Sequence, residues 1–213
     1  MKKWIVEHPI RVNVIYWCIY IVSFFAVERI VTTPRYVISS PLDDMIPFTK
    51  YAIVFYVLWF PYIAYSLIYF VLKSEKRDFW KLSVSLMVSM MPTLLFYILM
   101  PNGIQLRPSS VEGNDIFAGA VRLIWNSDNT CNVCPSLHVI VTVLIDMAWT
   151  TSSITKDKPA WRWASHVVDI LICASTVLLK QHSIIDVFCG IGVAVVVRAL
   201  VEYVFAEKVN AVH

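Results

Sequence analysis

The chain has 213 residues, of which 58% are hydrophobic and only 15% are charged. Soluble domains carry about 25% charged residues, so this composition excludes an ordinary soluble domain and indicates an integral membrane protein with several spans. The net charge of +3 is small and spread along the chain, without the basic stripe of a nucleic-acid-binding surface, so no nucleic-acid partner is expected.

Six long apolar segments, taken in chain order, predict an all-α, polytopic membrane protein built as a bundle of six transmembrane helices. Each is close to the roughly 20 residues that a helix needs to cross the hydrocarbon core. No internal repeat or low-complexity stretch divides the chain, so residues 1–213 are expected to form a single transmembrane domain. The segments cover residues 12–28, 51–73, 79–100, 136–154, 161–180 and 183–206.

The first apolar segment follows Lys2, Lys3 and Arg11, as the core of a secretory signal peptide would. A cleaved signal ends in a small-x-small site, whereas Glu28 and Arg29 close this segment. We therefore expect a retained first span.

Two of the connections between the apolar segments are long. Segment 29–50 predicts a re-entrant turn or an interfacial helix, and its Asp43 and Asp44 are interpreted as a solvated pair rather than a magnesium site. Segment 101–135 is longer still, and loops of more than about 12–15 residues are usually functional or disordered. Its amphipathic stretch from Ile116 to Trp125 predicts a short interfacial helix.

The distribution of Lys and Arg between the loops predicts the orientation. With a cytoplasmic N-terminus, twelve basic residues lie inside: Lys2, Lys3, Arg11, Lys73, Lys76, Arg77, Lys81, Lys156, Lys158, Arg162, Arg198 and Lys208. Six lie outside: Arg29, Arg35, Lys50, Arg107, Arg122 and Lys180. We therefore predict a multi-pass protein with both termini cytoplasmic, and this puts two histidines, His138 and His182, at one extracytoplasmic or luminal face.

Two motifs carry these histidines, Cys134-Pro-Ser-Leu-His138 and Ser175-Thr-x3-Lys180-Gln-His182-x3-Asp186. Ionisable side chains at the end of a membrane helix are costly and are therefore functional candidates. The i, i+4 spacing puts His182 and Asp186 on one helix face, where the carboxylate can hold one ring nitrogen and aim the other at a substrate. Two histidines and an aspartate suit a nucleophile, a general acid and an orienting group for phosphoryl transfer.

Pro135 and Ser136 suit the start of a helix, since proline favours the first turn and serine caps it. The backbone N–H groups at that end would bind a phosphoryl oxygen, so Ser136 is a phosphate-binding candidate as well as a cap. Cys131 and Cys134 are too few ligands for zinc, so no metal site is expected. They form either a disulfide, if the loop faces an oxidising compartment, or two free thiols.

Together the two motifs resemble those of the type 2 phosphatidic acid phosphatase superfamily of lipid phosphatases and phosphotransferases. The second motif of that family has the form P-S-x-x-H or P-S-G-H, and Pro135-Ser-Leu-His138 is similar to it. Its third motif ends in H-x3-D, as His182-x3-Asp186 does. The variant S-T-x3-K-Q-H-x3-D-V is similar to the subgroup that includes inositol-phosphorylceramide-synthase-like proteins.

The resemblance implies a metal-independent enzyme without a cofactor, which acts on a lipid phosphate among the membrane lipids. It implies that His182 attacks phosphorus and forms a phosphohistidine, that Asp186 orients it, and that His138 protonates the departing alkoxide. Water, an alcohol or a second lipid would then accept the phosphoryl group, and the motifs do not distinguish these acceptors.

The chain departs from the family in its cations. The first family motif is K-x6-R-P, and Arg107 with the following proline matches its end, whereas Met100 occupies the lysine position. The third motif has an arginine six residues before the histidine, and here that position is Thr176. Phosphoryl transfer needs cations, so Lys180 and Arg107 are expected to bind the phosphate.

A membrane transporter is the alternative, with Asp146, His166, Asp169 and Arg198 as an intramembrane polar pathway. Secondary transporters often contain repeated halves, which this sequence lacks, and polar contacts between helices are the simpler interpretation of these four residues. A catalytically inactive lipid-binding relative is a third hypothesis, and the intact set of two histidines and an aspartate argues against it.

Overall fold

The computed structural model describes residue 4 and residues 7–210, and in that part of the chain the fold is all-α. Two strands of two residues, β1 (Tyr36–Val37) and β2 (Asn102–Gly103), pair in parallel. Short 3₁₀ helices occupy Lys50–Ala52 and Ser153–Thr155. The eight α-helices of this part are α1 (Pro9–Ile30), α2 (Pro41–Met45), α3 (Ile53–Lys73), α4 (Lys76–Leu99), α5 (Ile116–Ser127), α6 (Leu137–Thr151), α7 (Pro159–Leu178) and α8 (Ile184–Asn210).

Each of the six predicted apolar segments overlaps one α-helix, and these helices are α1, α3, α4, α6, α7 and α8. Four of these, α1, α3 with the 3₁₀ turn before it, α4 and α8, are long and apolar enough to cross a membrane. The protein is therefore a multi-pass membrane protein. The helix predicted in the 101–135 connection is confirmed as α5. Of the residues used for the orientation, Lys2, Lys3 and the side chain of Lys208 lie outside the described part.

Helix α6 forms the centre of the bundle and contacts α3, α4, α7 and α8. Its residues Val139, Ile140, Val141 and Ile145 are completely buried. A helix that is apolar on all sides is typical of such a central position. Gly190 of α8 lies directly against α6, where an added Cβ would come within 2.9 Å of the Val139 Cβ atom. Small residues allow this close backbone approach between membrane helices.

The two long connections, 29–50 and 101–135, come together at one end of the bundle. Strand β1 pairs with β2, and Gly103 also bridges to Cys131, so the loop after α1 and the loop before α6 are joined. Asn132 donates to the Glu28 carboxylate at 2.9 Å, which ties the end of α1 to the same loop. Segment 29–50 contains the five-residue helix α2 and strand β1. These contacts place the loop that precedes His138 against the bundle.

Candidate active site

His138 and His182 lie next to each other, although they come from different helices. Their ring centroids are 5.7 Å apart and their planes meet at 63°. The Nδ1 atom of His182 lies 3.3 Å from Oδ2 of Asp186, so the predicted contact between these two residues is present. This distance is slightly beyond the usual hydrogen-bond range of about 2.7–3.2 Å. His182 is 7% exposed and Asp186 is fully buried, so the pair is shielded from bulk water.

The turn between α7 and α8 fixes the place of His182. Lys180 has a φ of +55°, which reverses the chain after α7, and the backbone N–H of His182 donates to the Thr176 carbonyl at 3.2 Å. This is the usual way to satisfy carbonyls at a helix C-terminus. Two residues later α8 begins, and the Asp186 carboxylate accepts the backbone N–H of Ser183 at 2.9 Å. His182 is thus held between the end of one helix and the start of the next.

The start of α6 is fixed by hydrogen bonds from three sides. The Ser136 hydroxyl caps the helix and accepts the backbone N–H of Val139 at 3.4 Å. The Ser136 backbone N–H donates to the Asp186 carbonyl at 3.2 Å and so joins the two motifs directly. Tyr97 donates to the Pro135 carbonyl at 2.6 Å, and the preceding peptide bond is cis. Ser136 is completely buried and caps the helix as predicted.

Two aromatic side chains of α3 enclose the His138 ring. The ring centroid of Tyr56 lies 4.7 Å from that of His138, and the ring centroid of Trp59 lies 4.5 Å from it. The Trp59 Nε1 atom also donates to the His138 carbonyl at 3.2 Å. The sequence indicates no site role for Tyr56 and Trp59, because their contact with His138 joins residues that are distant along the chain.

Lys180 is buried, and its ammonium group donates to two backbone carbonyls. The Nζ atom lies 2.6 Å from the carbonyl oxygen of Asp43 and 2.6 Å from that of Ile46. An ammonium has three donors, so one remains. None of the ion pairs within residues 7–206 includes Lys180. A buried cation that forms no ion pair among these residues favours the binding of an anion.

Arg107, the second predicted phosphate ligand, is bound to the C-terminal end of α5. Its Nη1 atom donates to the carbonyls of Trp125 at 3.1 Å and Asp128 at 3.0 Å, as suits a cation at a helix C-terminus. Its Nη2 atom donates to the Gln181 side chain, next to His182 in the chain. The Nε atom is buried and has no partner among the described residues. Most of its donors are therefore already engaged.

The interpretation of Asp43 as a solvated loop residue is wrong. Asp43 is 2% exposed, whereas Asp44 is exposed as predicted. Asp43 Oδ1 accepts the Ile184 backbone N–H at 2.8 Å, and Oδ2 accepts the Ser183 hydroxyl at 2.7 Å. The sequence carried a signal for this, because Ser40-x-x-Asp43 has the spacing of a capping box, and the structure forms that box.

All five cysteines are free thiols, so Cys131 and Cys134 form no disulfide in this structure. Burial raises the pKa of the Cys134 thiol, and the nearby Asp186 carboxylate raises it further. A thiol that stays protonated at neutral pH is a poor nucleophile, so Cys134 is a weak candidate for a reactive group. Within the described residues, no group of three or more histidines, cysteines or carboxylates is arranged to hold a metal ion.

Of the polar residues of the transporter alternative, Asp146, His166 and Arg198 form contacts between helices, whereas the contact of Asp169 lies within α7. Asp146 Oδ1 accepts the Ser165 hydroxyl at 2.6 Å, and its Oδ2 lies 2.7 Å from His166 Nδ1, which joins α6 to α7. Arg198 donates to the Thr151 hydroxyl at 2.8 Å and so joins α8 to α6. Asp169 accepts from the Cys173 thiol one turn further along α7. Both oxygens of the Asp146 carboxylate thus contact α7.

Two imidazoles that face each other, with a carboxylate behind one of them and a buried ammonium in the same turn, can act on a phosphate ester from two sides. No protein-family model matches the chain, and no curated protein matches it either. A functional conclusion therefore rests on these residues and on their geometry.

Proposed function

We propose that this protein is an integral-membrane lipid phosphatase or lipid head-group phosphotransferase that forms a phosphohistidine on His182. The observation that carries the proposal is the approach of His138 and His182 to 5.7 Å, with Asp186 behind His182. The motifs around these residues resemble those of the type 2 phosphatidic acid phosphatase superfamily, which supports the same conclusion. The substrate is an amphiphilic phosphate ester, because the site belongs to a membrane protein.

In the proposed reaction, Nε2 of His182 attacks phosphorus while Asp186 holds Nδ1. The bond between phosphorus and the ester oxygen breaks, and the protonated His138 gives its proton to that oxygen as the alcohol leaves. Water or a second alcohol then attacks the phosphohistidine and transfers its own proton to His138. This returns both imidazoles to their starting state and releases phosphate or a new phosphate ester.

Three groups are proposed to stabilise the charge on the transferring phosphoryl group. The first is the remaining donor of Lys180, whose other two donors engage backbone carbonyls. The second is the Nε–H of Arg107, which is buried without a partner among the described residues. The third is the N-terminal end of α6 after Ser136, where backbone N–H groups favour an anion. With these donors the proposed reaction uses no metal ion and no cofactor.

We propose that α1, α3, α4, α6, α7 and α8 are six spans, with both termini cytoplasmic and the site at the extracytoplasmic or luminal face. The excess of basic residues in the opposite loops supports this orientation. Helices α2 and α5 are proposed to lie in the interface, because their Met45 and Ile116 side chains are 78% and 81% exposed.

Cysteine labelling tests this orientation. With the protein in the plasma membrane of intact cells, Lys156→Cys should react with a membrane-impermeant maleimide only after the membrane is opened, whereas Ser110→Cys should react before it is opened. The unsubstituted chain measures the background from the native thiols. Labelling of Lys156→Cys in intact cells would contradict the proposed orientation and would indicate the opposite one.

Turnover by the purified protein tests the function. A panel of lipid phosphates is incubated with the protein, with and without EDTA, and both free phosphate and new lipids are measured. We expect turnover that persists in EDTA, and the ratio of the two products separates hydrolysis from transfer. Turnover that is lost in EDTA and restored by Mg²⁺ would contradict the metal-independent mechanism. The absence of turnover on all lipid phosphates would favour the transporter or lipid-binding alternatives.

A further inference from the structure

Asp43 is distant from His182 along the chain, yet its hydrogen bonds end on the turn that carries this histidine. Its Oδ1 atom accepts the backbone N–H of Ile184 at 2.8 Å, and its Oδ2 atom accepts the Ser183 hydroxyl at 2.7 Å. Its backbone carbonyl accepts the Lys180 ammonium at 2.6 Å. Asp43 therefore contacts the turn on both sides of His182.

The carboxylate of Asp43 is fixed on its own helix as well. Its Oδ2 atom also accepts the backbone N–H of Ser40 at 2.8 Å, which completes the capping box of α2. The carboxylate thus has three donors, and the residue is only 2% exposed. These hydrogen bonds fix the buried carboxylate, because the loss of one donor would leave part of a desolvated charge unpaired and would cost free energy. Helix α2 is thereby attached to the start of α8.

We infer that Asp43 is a positioning residue for the reaction proposed above, and this inference rests on that proposed function. Asp43 holds the turn so that Nε2 of His182 points at the phosphoryl group. Through its carbonyl it also holds the Lys180 ammonium on that turn. Asp43 touches no reacting atom itself, and neither of the two motifs contains it.

A carboxylate suits position 43 because both of its oxygens accept hydrogen bonds, from a side-chain hydroxyl and from backbone N–H groups. An asparagine offers one acceptor oxygen, so its amide group would face either the Ile184 N–H or the Ser183 hydroxyl together with the Ser40 N–H. The hydroxyl can rotate and accept, whereas a backbone N–H cannot, so each orientation leaves one backbone N–H without its acceptor. The start of α8 also favours a negative charge near it. Asp43→Asn should therefore loosen the turn while keeping the volume of the side chain.

The neighbouring Asp44 provides a matched control. It lies on the same short helix, is exposed, and forms no hydrogen bond or ion pair within the described residues. Asp44→Asn removes the same charge from the same part of the chain. A difference between the two variants therefore reports the contacts of Asp43 and not the net charge of the loop.

The experiment compares kcat, KM and thermal stability of the two variants on a lipid phosphate that the wild type turns over, and on an aryl phosphate with a good leaving group. Asp43→Asn should lower kcat by about 10²-fold on both substrates, since a displacement of about 1 Å has effects of this size. Its KM should stay within about threefold, because the change affects attack more than binding. Asp44→Asn should match the wild type.

Ser183→Ala is the second variant. It removes one of the three donors to the Asp43 carboxylate, and it also removes the hydroxyl that accepts the Ile185 backbone N–H. It should lower kcat by less than Asp43→Asn does. The double variant should be hardly slower than Asp43→Asn alone, because groups that act through one contact are not additive. If Asp43→Asn folds poorly, Ser183→Ala alone tests the inference. An unchanged kcat in Ser183→Ala would overturn it.

The other outcomes separate the inference from the proposed function. If the wild type turns over a lipid phosphate and the kcat of Asp43→Asn per folded molecule equals that of Asp44→Asn, Asp43 has only a structural role. Fully additive effects of the two substitutions would overturn the inference as well. If the wild type turns over no phosphate ester at all, the proposed function itself fails.

Discussion

In the part of the chain that the structure describes, two histidines each pair with an aspartate, one pair in the candidate site and one between α6 and α7. The pair His166–Asp146 is the closer of the two, with 2.7 Å between Nδ1 and Oδ2, against 3.3 Å for His182–Asp186. The side chain of His166 is 45% exposed, whereas that of His182 is 8% exposed. By hydrogen-bond geometry alone, the pair outside the site would be the better candidate.

The surroundings of the two pairs differ more than their distances do. His182 faces a second imidazole and lies on a turn fixed by Asp43 and Lys180. The ring of His166 contacts Trp163, and its carboxylate partner also accepts the Ser165 hydroxyl. A contact between histidine and aspartate therefore has a structural or a catalytic meaning according to which other groups converge on it. Substitutions made in both pairs test this difference.

The largest difference is expected between the two histidines. His182→Ala should lower turnover by more than about 10⁴-fold, because a nucleophile has no substitute in the covalent mechanism. His166→Ala should keep turnover within about twofold. Phosphate release by equal amounts of folded protein measures both. Equal activity of His182→Ala and the wild type would rule out the covalent mechanism.

The two aspartates should affect different properties. Asp186→Asn should leave a small residual activity, roughly 10³–10⁴-fold below the wild type, since the imidazole loses its orienting acceptor. Asp146→Asn should leave kcat unchanged and lower the stability by about 1–3 kcal/mol, because it weakens two hydrogen bonds of a nearly buried group. kcat per folded molecule and thermal melting are measured on both variants, and only Asp186→Asn should lose kcat. An equal loss of kcat in the two variants would mean that the two pairs have the same kind of role.

His138→Ala should lower kcat by about 10²–10⁴-fold, which is the usual contribution of a general acid. The loss should be smaller on an aryl phosphate, whose leaving group needs no proton. Rates on an alkyl and an aryl phosphate measure this difference. An equal loss on both substrates would assign His138 a role other than protonation of the leaving group.

Lys180→Ala should lower kcat/KM by about 10²-fold, the effect of removing one donor from a developing charge. Lys180→Arg should lose less, since it keeps the charge although its shape differs. If Lys180→Ala kept the wild-type kcat/KM, Lys180 would not bind the phosphate, and Arg107 or another group would have this role.

The parts of the fold that depend on local patterns could be predicted from the sequence. The apolar run 79–100 is close to helix α4 (Lys76–Leu99), and the spacing of His182 and Asp186 predicts their contact. The roles of Tyr56 and Trp59 could not be predicted, because their contact with His138 depends on how α3 packs against α6.

Asp43 lies between these two cases. Its capping box with Ser40 is local and readable from the sequence. Its bonds to Ser183 and Ile184 join segments that are far apart in the chain. Lys180 is similar, since its place beside His182 is local, whereas its two carbonyl acceptors belong to the α2 region.

The most direct test of the central claim is the capture of the covalent intermediate. The protein is mixed with a phosphate ester that it turns over, denatured within milliseconds at alkaline pH, where phosphohistidine is stable, and digested for mass spectrometry. We expect a phosphoryl group on the peptide that contains His182, and none on that peptide in His182→Ala. His166 should remain unmodified in both samples. A phosphoryl group on a different residue, or turnover without a phosphorylated histidine, would contradict the proposal.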